Sequence, residues 1–159
     1  VRWHFIGHLQ SNKVKYIAAF VHLIHGVDSL KLLQEINKQA GRHNRIISVL
    51  LQLHIAKEET KFGLDEEELK QQLQHPLLDQ LENIQIAGLM GMASFSNDES
   101  MVRAEFRSLR EIFDRYKTMK RKNVQLEILS MGMSGDYALA LQEGSTMLRI
   151  GSLLFGARN

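Results

Sequence analysis

The clearest chemical signal in the chain is the run Leu129-Ser130-Met131-Gly132-Met133-Ser134-Gly135-Asp136. It lies between an apolar stretch that reads as a strand and a short helical stretch running to about Gln142. Two glycines let such a loop turn its amides toward an anion, the hydroxyls of Ser130 and Ser134 add donors, and a helix N-terminus adds positive potential. That chemistry suits a phosphate, although a tight turn with a serine cap uses the same residue types. The next unit ends in Leu148-Arg149-Ile150-Gly151-Ser152, which brings a guanidinium and a glycine amide to the end of the last strand. If these segments are the seventh and eighth strands of a (β/α)8 barrel, they form the place where such barrels commonly bind phosphate.

Other candidates are weaker. Trp3-His4-Phe5-Ile6-Gly7-His8 offers a wall for a planar ligand, with Gly7 allowing close approach. His4 and His8, joined by His25 or His54, could in principle hold a metal, but no carboxylate stands at helical ligand spacing, and histidines buried in or behind a site are the expectation. Lys61, in the mixed-charge loop after the longest strand, could approach a phosphate or an aldehyde, or the loop could simply be solvated. Met90 and Met92 are expected to pack inside a barrel, with Gly91 marking a close backbone contact.

The elements that must position these residues alternate. Apolar runs at Trp3 to Gly7, Leu23 to Val27, Ile46 to Ile55, Ile84 to Met92, Leu126 to Ser130 and Met147 to Gly151 read as strands. They are too continuously apolar for a sheet with one wet face, and helix-length connections separate them, so parallel pairing under a cover of helices is expected. Asp28 reads as the N-cap of a helix over Ser29 to Ala40, with Val27 and Leu32 as a hydrophobic staple. Asp65 with Glu68 has capping-box spacing and Leu64 with Leu69 staple spacing, before a stop at Pro76. Ser96 and Glu99 open a third helix, whose stripe of Val102, Phe106, Leu109, Phe113 and Tyr116 faces a core. Its other side, including Arg103, Glu105 and Arg107, reads as solvated, and Lys120 to Lys122 as cations suiting a helix C-terminus rather than a nucleic-acid patch.

Composition bounds the answer. A chain of 159 residues with 44% hydrophobic and 24% charged residues is one ordinary globular domain and excludes a disordered tail. A net charge of +2 does not ask for a nucleic-acid partner. The lack of cysteine removes disulfides, thiolate metal sites and thiol nucleophiles. No apolar run reaches the ~18 residues needed to span a bilayer, so no membrane role is expected, and the lack of cysteine is compatible with the cytoplasmic location expected.

Strand–helix units of this number permit a doubly wound sheet or a barrel lacking two strands, and strand polarity favours the barrel. His4, His25, Gln52 and His54 lie within strands, and a barrel interior tolerates polar residues near its mouth better than a sheet buried under helices. The expected fold class is therefore α/β, a (β/α)8 TIM barrel with about six βα units present.

Taken together, Trp3 to Lys13, Glu59 to Leu64, Gly88 to Met92, Leu129 to Asp136 and Gly144 to Gly151 resemble the YggS-like pyridoxal phosphate homeostasis protein family, along the whole chain. The resemblance implies an alanine racemase-type barrel that binds pyridoxal 5'-phosphate (PLP), with a part in vitamin B6 homeostasis and no established turnover. It makes Ser134 and Gly135 phosphate ligands, helped by Gly151 and Ser130. Arg149 would face the pyridine nitrogen, where a cation keeps that nitrogen unprotonated and weakens the ring as an electron sink. PLP-dependent client enzymes are the implied partners, and a monomer or weak dimer is expected. Small departures from the family pattern stand beside the site: Gly91 for Thr, Ser94 for Pro and Gly26 for Ser.

In that family the Schiff-base lysine and an Asn-containing segment lie on two strands upstream of Trp-His-Phe-Ile-Gly, and this sequence has neither. Residues 1–159 are thus expected to be a single partial PLP-binding barrel domain without its first two strands, and neither Lys13 nor Lys61 substitutes for the missing lysine. The competing reading is a PLP-dependent racemase-like enzyme. It needs acid–base groups on both faces of the cofactor, and only Tyr137 among the tyrosines stands near the loop. A phosphosugar enzyme on a similar barrel would explain the phosphate loop but not the other motifs.

Overall fold

A computed structural model describes residues 1–59 and 62–157. Strands β1 (Trp3–Phe5), β2 (Val21–Val27), β3 (Ile47–His54), β4 (Ile84–Met92), β5 (Val124–Met133) and β6 (Met147–Arg149) form one all-parallel sheet in sequential order, β1-β2-β3-β4-β5-β6. Sequential order excludes the doubly wound alternative, in which the strand order reverses part-way along the sheet. The sheet is a partial (β/α) barrel wall, with β1 and β6 as its two edges.

Alternation along the strands gives the wall two faces. On β3, Ile47, Val49, Leu51 and Leu53 join the large core beneath the helices, whereas Leu50 packs with Leu23 and Met90 in a separate inner cluster. Met92, Ile128 and Met147 pack against that inner cluster, as expected for Met92 inside a barrel. Period-2 alternation thus sends β-branched and leucine side chains outward to the helices, and a mixed set inward.

The helices are α1 (Leu30–Arg42), α2 (Glu66–Gln74), α3 (Glu99–Tyr116), α4 (Tyr137–Gln142) and α5 (Ser152–Phe155). The capping box of α2 is present in full: Asp65 accepts from the Glu68 amide and Glu68 from the Asp65 amide, both at 2.8 Å. Pro76 follows its C-cap His75 and opens a 3-10 turn. Two caps differ from expectation by register. Ser29, not Asp28, caps α1, its hydroxyl accepting from the Leu32 amide. Asp98 caps α3 by accepting from the Met101 amide, while Ser96 bonds the Asp98 amide. In both runs adjacent residues offer suitable oxygens, and the chain's entry angle decides which one reaches the free amides.

On α3, Val102, Phe106, Leu109 and Phe113 are buried as the stripe requires, with Tyr116 partly so. Glu105 is buried with them and does not belong to the solvated face. Arg121 closes the other end of the molecule: its guanidinium donates to the carbonyls of Leu73 and His75 and pairs with Asp79, while Lys122 pairs with Glu82. These cations serve helix-end carbonyls and neighbouring acids.

Candidate functional site

The C-terminal ends of β4, β5 and β6 border a cleft of about 1210 Å³. Arg149, Ser134, Gly135, Gly151 and Tyr137 all line it. The expected loop and the last strand end are therefore brought together.

The loop after β5 is built by its own residues. Gly132 takes φ +100°, a left-handed conformation that glycine adopts without steric cost, and a Cβ there would meet Ala140 and Leu148 at 2.6 and 2.8 Å. Asp136 then accepts from the Met133 amide at 2.8 Å and closes the turn. Ser134 does not cap α4. Its hydroxyl reaches across to α5 and accepts from the amides of Gly151 at 3.3 Å and Leu153 at 3.2 Å. Two amides thus converge on one oxygen at the cleft wall. A Cβ added at Gly135 or at Gly151 would meet nothing within 4 Å, so both backbones face open space.

Ser130 stands apart from this cradle. It is fully buried, and its hydroxyl lies between two partners: Arg149 Nη1 donates to it at 2.7 Å, and His25 Nδ1 lies at 3.0 Å. Arg149 also donates through Nη2 to the Gly91 carbonyl at 3.1 Å, and its Nε is buried without a partner. Burial lowers the guanidinium to about 10, with Asp136 opposing the shift, so the group is a cation at neutral pH. His25 Nε2 in turn lies 3.0 Å from His4 Nδ1. One hydrogen-bonded line therefore runs Arg149–Ser130–His25–His4 across the inner face of the wall.

Burial, then the charge of Arg149, then His4 pull the His25 pKa down to about 3. The folded state therefore keeps His25 neutral at pH values where the unfolded chain would protonate it near 6.5. Stability contributed by neutral His25 is complete above that unfolded value and is lost as pH falls toward the folded one. Urea unfolding is expected to show a drop of about 1–2 kcal/mol between neutral pH and pH ~5. His25→Phe should flatten this drop, and equal slopes for variant and parent would exclude the assignment.

The remaining candidates fall elsewhere. His8 stacks on Phe62, with ring centroids 4.0 Å apart, and among the described residues no group of histidines and acids could hold a metal. The Gly7 carbonyl approaches Gly26 so closely that a Cβ at 26 would lie 2.4 Å from it, which explains glycine where the family pattern has serine. Gly91 faces side chains rather than backbone: Leu109 and Ile55 would meet its Cβ at 2.7 and 3.0 Å. Lys61 lies outside the described residues.

One contributor escaped the sequence reading. Buried Glu105 accepts from both the amide and the hydroxyl of Ser94, at 2.8 and 2.5 Å, and so braces the cleft loop after β4. Its signal was its position within the apolar stripe, three residues after Val102. His25 is buried behind the site, as expected for these histidines, but its bond to Ser130 was not legible.

The sequence profile of the family "Alanine racemase, N-terminal domain" matches residues 1–159. The chain is 44% identical to the pyridoxal phosphate homeostasis protein of Aquifex aeolicus, over 99% of this chain and 68% of that protein. It is 35% identical to that of Haemophilus influenzae, over 100% of this chain and 66% of the relative. The chain belongs to the pyridoxal phosphate homeostasis protein family. It spans about two thirds of the length of these relatives. A solved structure of PipY from Synechococcus elongatus PCC7942 with PLP bound superposes at TM-score 0.85, with 35% identity, covering 98% of this chain and 71% of that one. An alanine racemase from Clostridium difficile 630 superposes at 0.72 with 16% identity over 99% of this chain and 40% of its own, a likeness of fold. The barrel expected for this family is thus the fold observed. No helix among the described residues is long and apolar enough to cross a membrane.

Proposed function

We propose that residues 1–159 form a single partial PLP-binding barrel domain that takes part in PLP homeostasis, holding the cofactor in the cleft and yielding it to PLP-dependent client enzymes. The observation that carries this reading is the pairing of two donor sets on one cleft wall. The amides of Gly151 and Leu153 converge on Ser134, and Arg149 is a buried cation with an unpartnered Nε. The Ser134 hydroxyl that accepts from these two amides keeps its own proton to donate to a bound phosphate, and a ring acceptor in the same cleft would meet the cation of Arg149. The binding of PLP by PipY and the names of the relatives support the same assignment.

In this reading Ser134, Gly135 and Gly151 hold the phosphate, the two glycines leaving their backbones accessible where side chains would stand. PLP, when bound, supplies an aldehyde that takes up amines and a pyridine ring that can accept electrons. Arg149, a cation in a site of low polarity, donates toward the ring nitrogen and disfavours a proton there. Ser130 lies behind Arg149 rather than at the phosphate. The chain's residues therefore bind and orient the cofactor while weakening its capacity to stabilise a carbanion, which suits a carrier.

Titrating PLP into the full-length protein tests the reading. Saturable binding with an absorbance distinct from free PLP is expected. Ser134→Ala should weaken it by about 1 kcal/mol, the scale of one hydrogen bond, with little spectral change. No saturable binding, or unchanged affinity in Ser134→Ala together with Gly151→Pro, would overturn it.

A further inference from the structure

The line of side chains behind Arg149 extends well beyond the cleft. His25 is on β2 and Ser130 on β5, yet they meet across the inner face, 105 residues apart in sequence. His4, on the edge strand β1, is exposed, whereas His25, Ser130 and Arg149 are buried.

Donor and acceptor arithmetic gives the line a direction. The guanidinium can only donate, so Ser130 Oγ accepts from Arg149 and its own proton is free for His25 Nδ1. A neutral His25 that accepts at Nδ1 carries its proton on Nε2, and donates it to His4 Nδ1. Each of the three hydrogen bonds of the line is then formed in one protonation state. A proton added to His25 would sit on Nδ1, facing Ser130 with Arg149 behind it.

We infer that Ser130 and His25 are positioning residues that hold Arg149 toward the cofactor ring, and that His4 is the solvent-facing end through which acid–base changes reach the ring nitrogen. The charged and titratable groups around the line are few. Arg149 and His4 face His25, His22 and Arg2 face His4, and Asp136 acts on Arg149. Partial burial, His22 and Arg2 all lower the His4 pKa, so the pair is held neutral near pH 7. Once His4 Nδ1 is protonated it becomes a donor, and His25 can accept from it only by moving its own proton to Nδ1, so that Ser130 accepts from both His25 and Arg149 and its own proton must turn away.

This inference rests on the PLP reading of the cleft, and its test separates the two. The probe is 4'-deoxypyridoxine 5'-phosphate, which keeps the ring nitrogen and the phosphate but has no aldehyde, so its binding requires no lysine. It is titrated into the full-length parent, His25→Phe, His25→Asn and Ser134→Ala, while its absorbance is recorded from acid to neutral pH. His25→Phe should weaken binding about tenfold and move the bound spectrum toward that of the protonated ring. His25→Asn, whose amide oxygen can accept the Ser130 proton, should restore both to within about threefold. Ser134→Ala should weaken binding without moving the spectrum. Parent affinity and spectrum in His25→Phe would overturn the inference. Long-range proton–nitrogen spectra of the histidines in the cofactor-free parent give an independent reading. A neutral His25 protonated at Nε2 is expected, and an Nδ1-protonated or charged ring would overturn the line. If the probe binds to none of the proteins, the PLP reading fails and the histidine spectra alone decide the line.

Discussion

Arg149→Ala is expected to weaken PLP retention by about 1–3 kcal/mol, the scale of removing one partner from a charge-assisted hydrogen bond, and to shift the bound cofactor's spectrum while the barrel stays folded. The fold should tolerate the change because Arg149 contributes little net stabilisation. It is 6% exposed, its bonds are to a neutral hydroxyl and a carbonyl, and no ion pair among the described residues includes it. A buried cation without a carboxylate partner costs desolvation that two neutral acceptors only partly offset. Its removal leaves a small cavity against relief of that cost, so the urea midpoint should move little. A surface arginine would behave differently, since its loss would leave both the ring spectrum and retention unchanged. Titration of PLP into parent and variant, with unfolding curves alongside, separates these outcomes. Identical spectra and affinities would remove Arg149 from the site.

Residue types and spacing carried the architecture further than they carried the wiring. Ile84–Met92 is a strand at the expected boundaries, because an unbroken apolar run between helix-length connections has few other uses. Residues near the cradle were equally legible: Ser134, Gly135, Arg149 and Gly151 all line one cleft, as two adjacent strand ends of a barrel must. The β2 bulge between Ile24 and Val27 was not legible, and a one-residue shift decides which face His25 occupies. Nothing local to His25 or Ser130 announces a bond across 105 residues of sequence. Glu105 was misassigned for a related reason. A carboxylate on a helix is usually solvated, and only the Ser94 amide and hydroxyl, supplied by another element, make its burial tolerable.

Gly88→Ala is expected to be the more damaging of two glycine substitutions in the Gly88-Leu89-Met90-Gly91-Met92 run, destabilising the protein by about 3 kcal/mol. A Cβ at Gly88 would lie 1.8 Å from the Ile128 carbonyl oxygen, and backbone cannot swing aside as a side chain can. Strands β4 and β5 would have to separate where Gly88 pairs with Ile128. At Gly91 the obstacles are the side-chain ends of Leu109 and Ile55, which can repack, so Gly91→Ala should cost about 1 kcal/mol. The two substitutions also differ in their effect on the cleft. Arg149 is held by the Gly91 carbonyl on β4 and by Ser130 on β5, and Met90 pairs with Ser130 just beyond the Gly88–Ile128 pair. Forcing the strands apart at Gly88 therefore spreads the two anchors of one guanidinium. Gly88→Ala should shift the spectrum of bound PLP as well as lower the urea midpoint, whereas Gly91→Ala should lower the midpoint slightly and leave the spectrum alone. Equal midpoints for the two variants would show that the β4–β5 spacing does not set the wall.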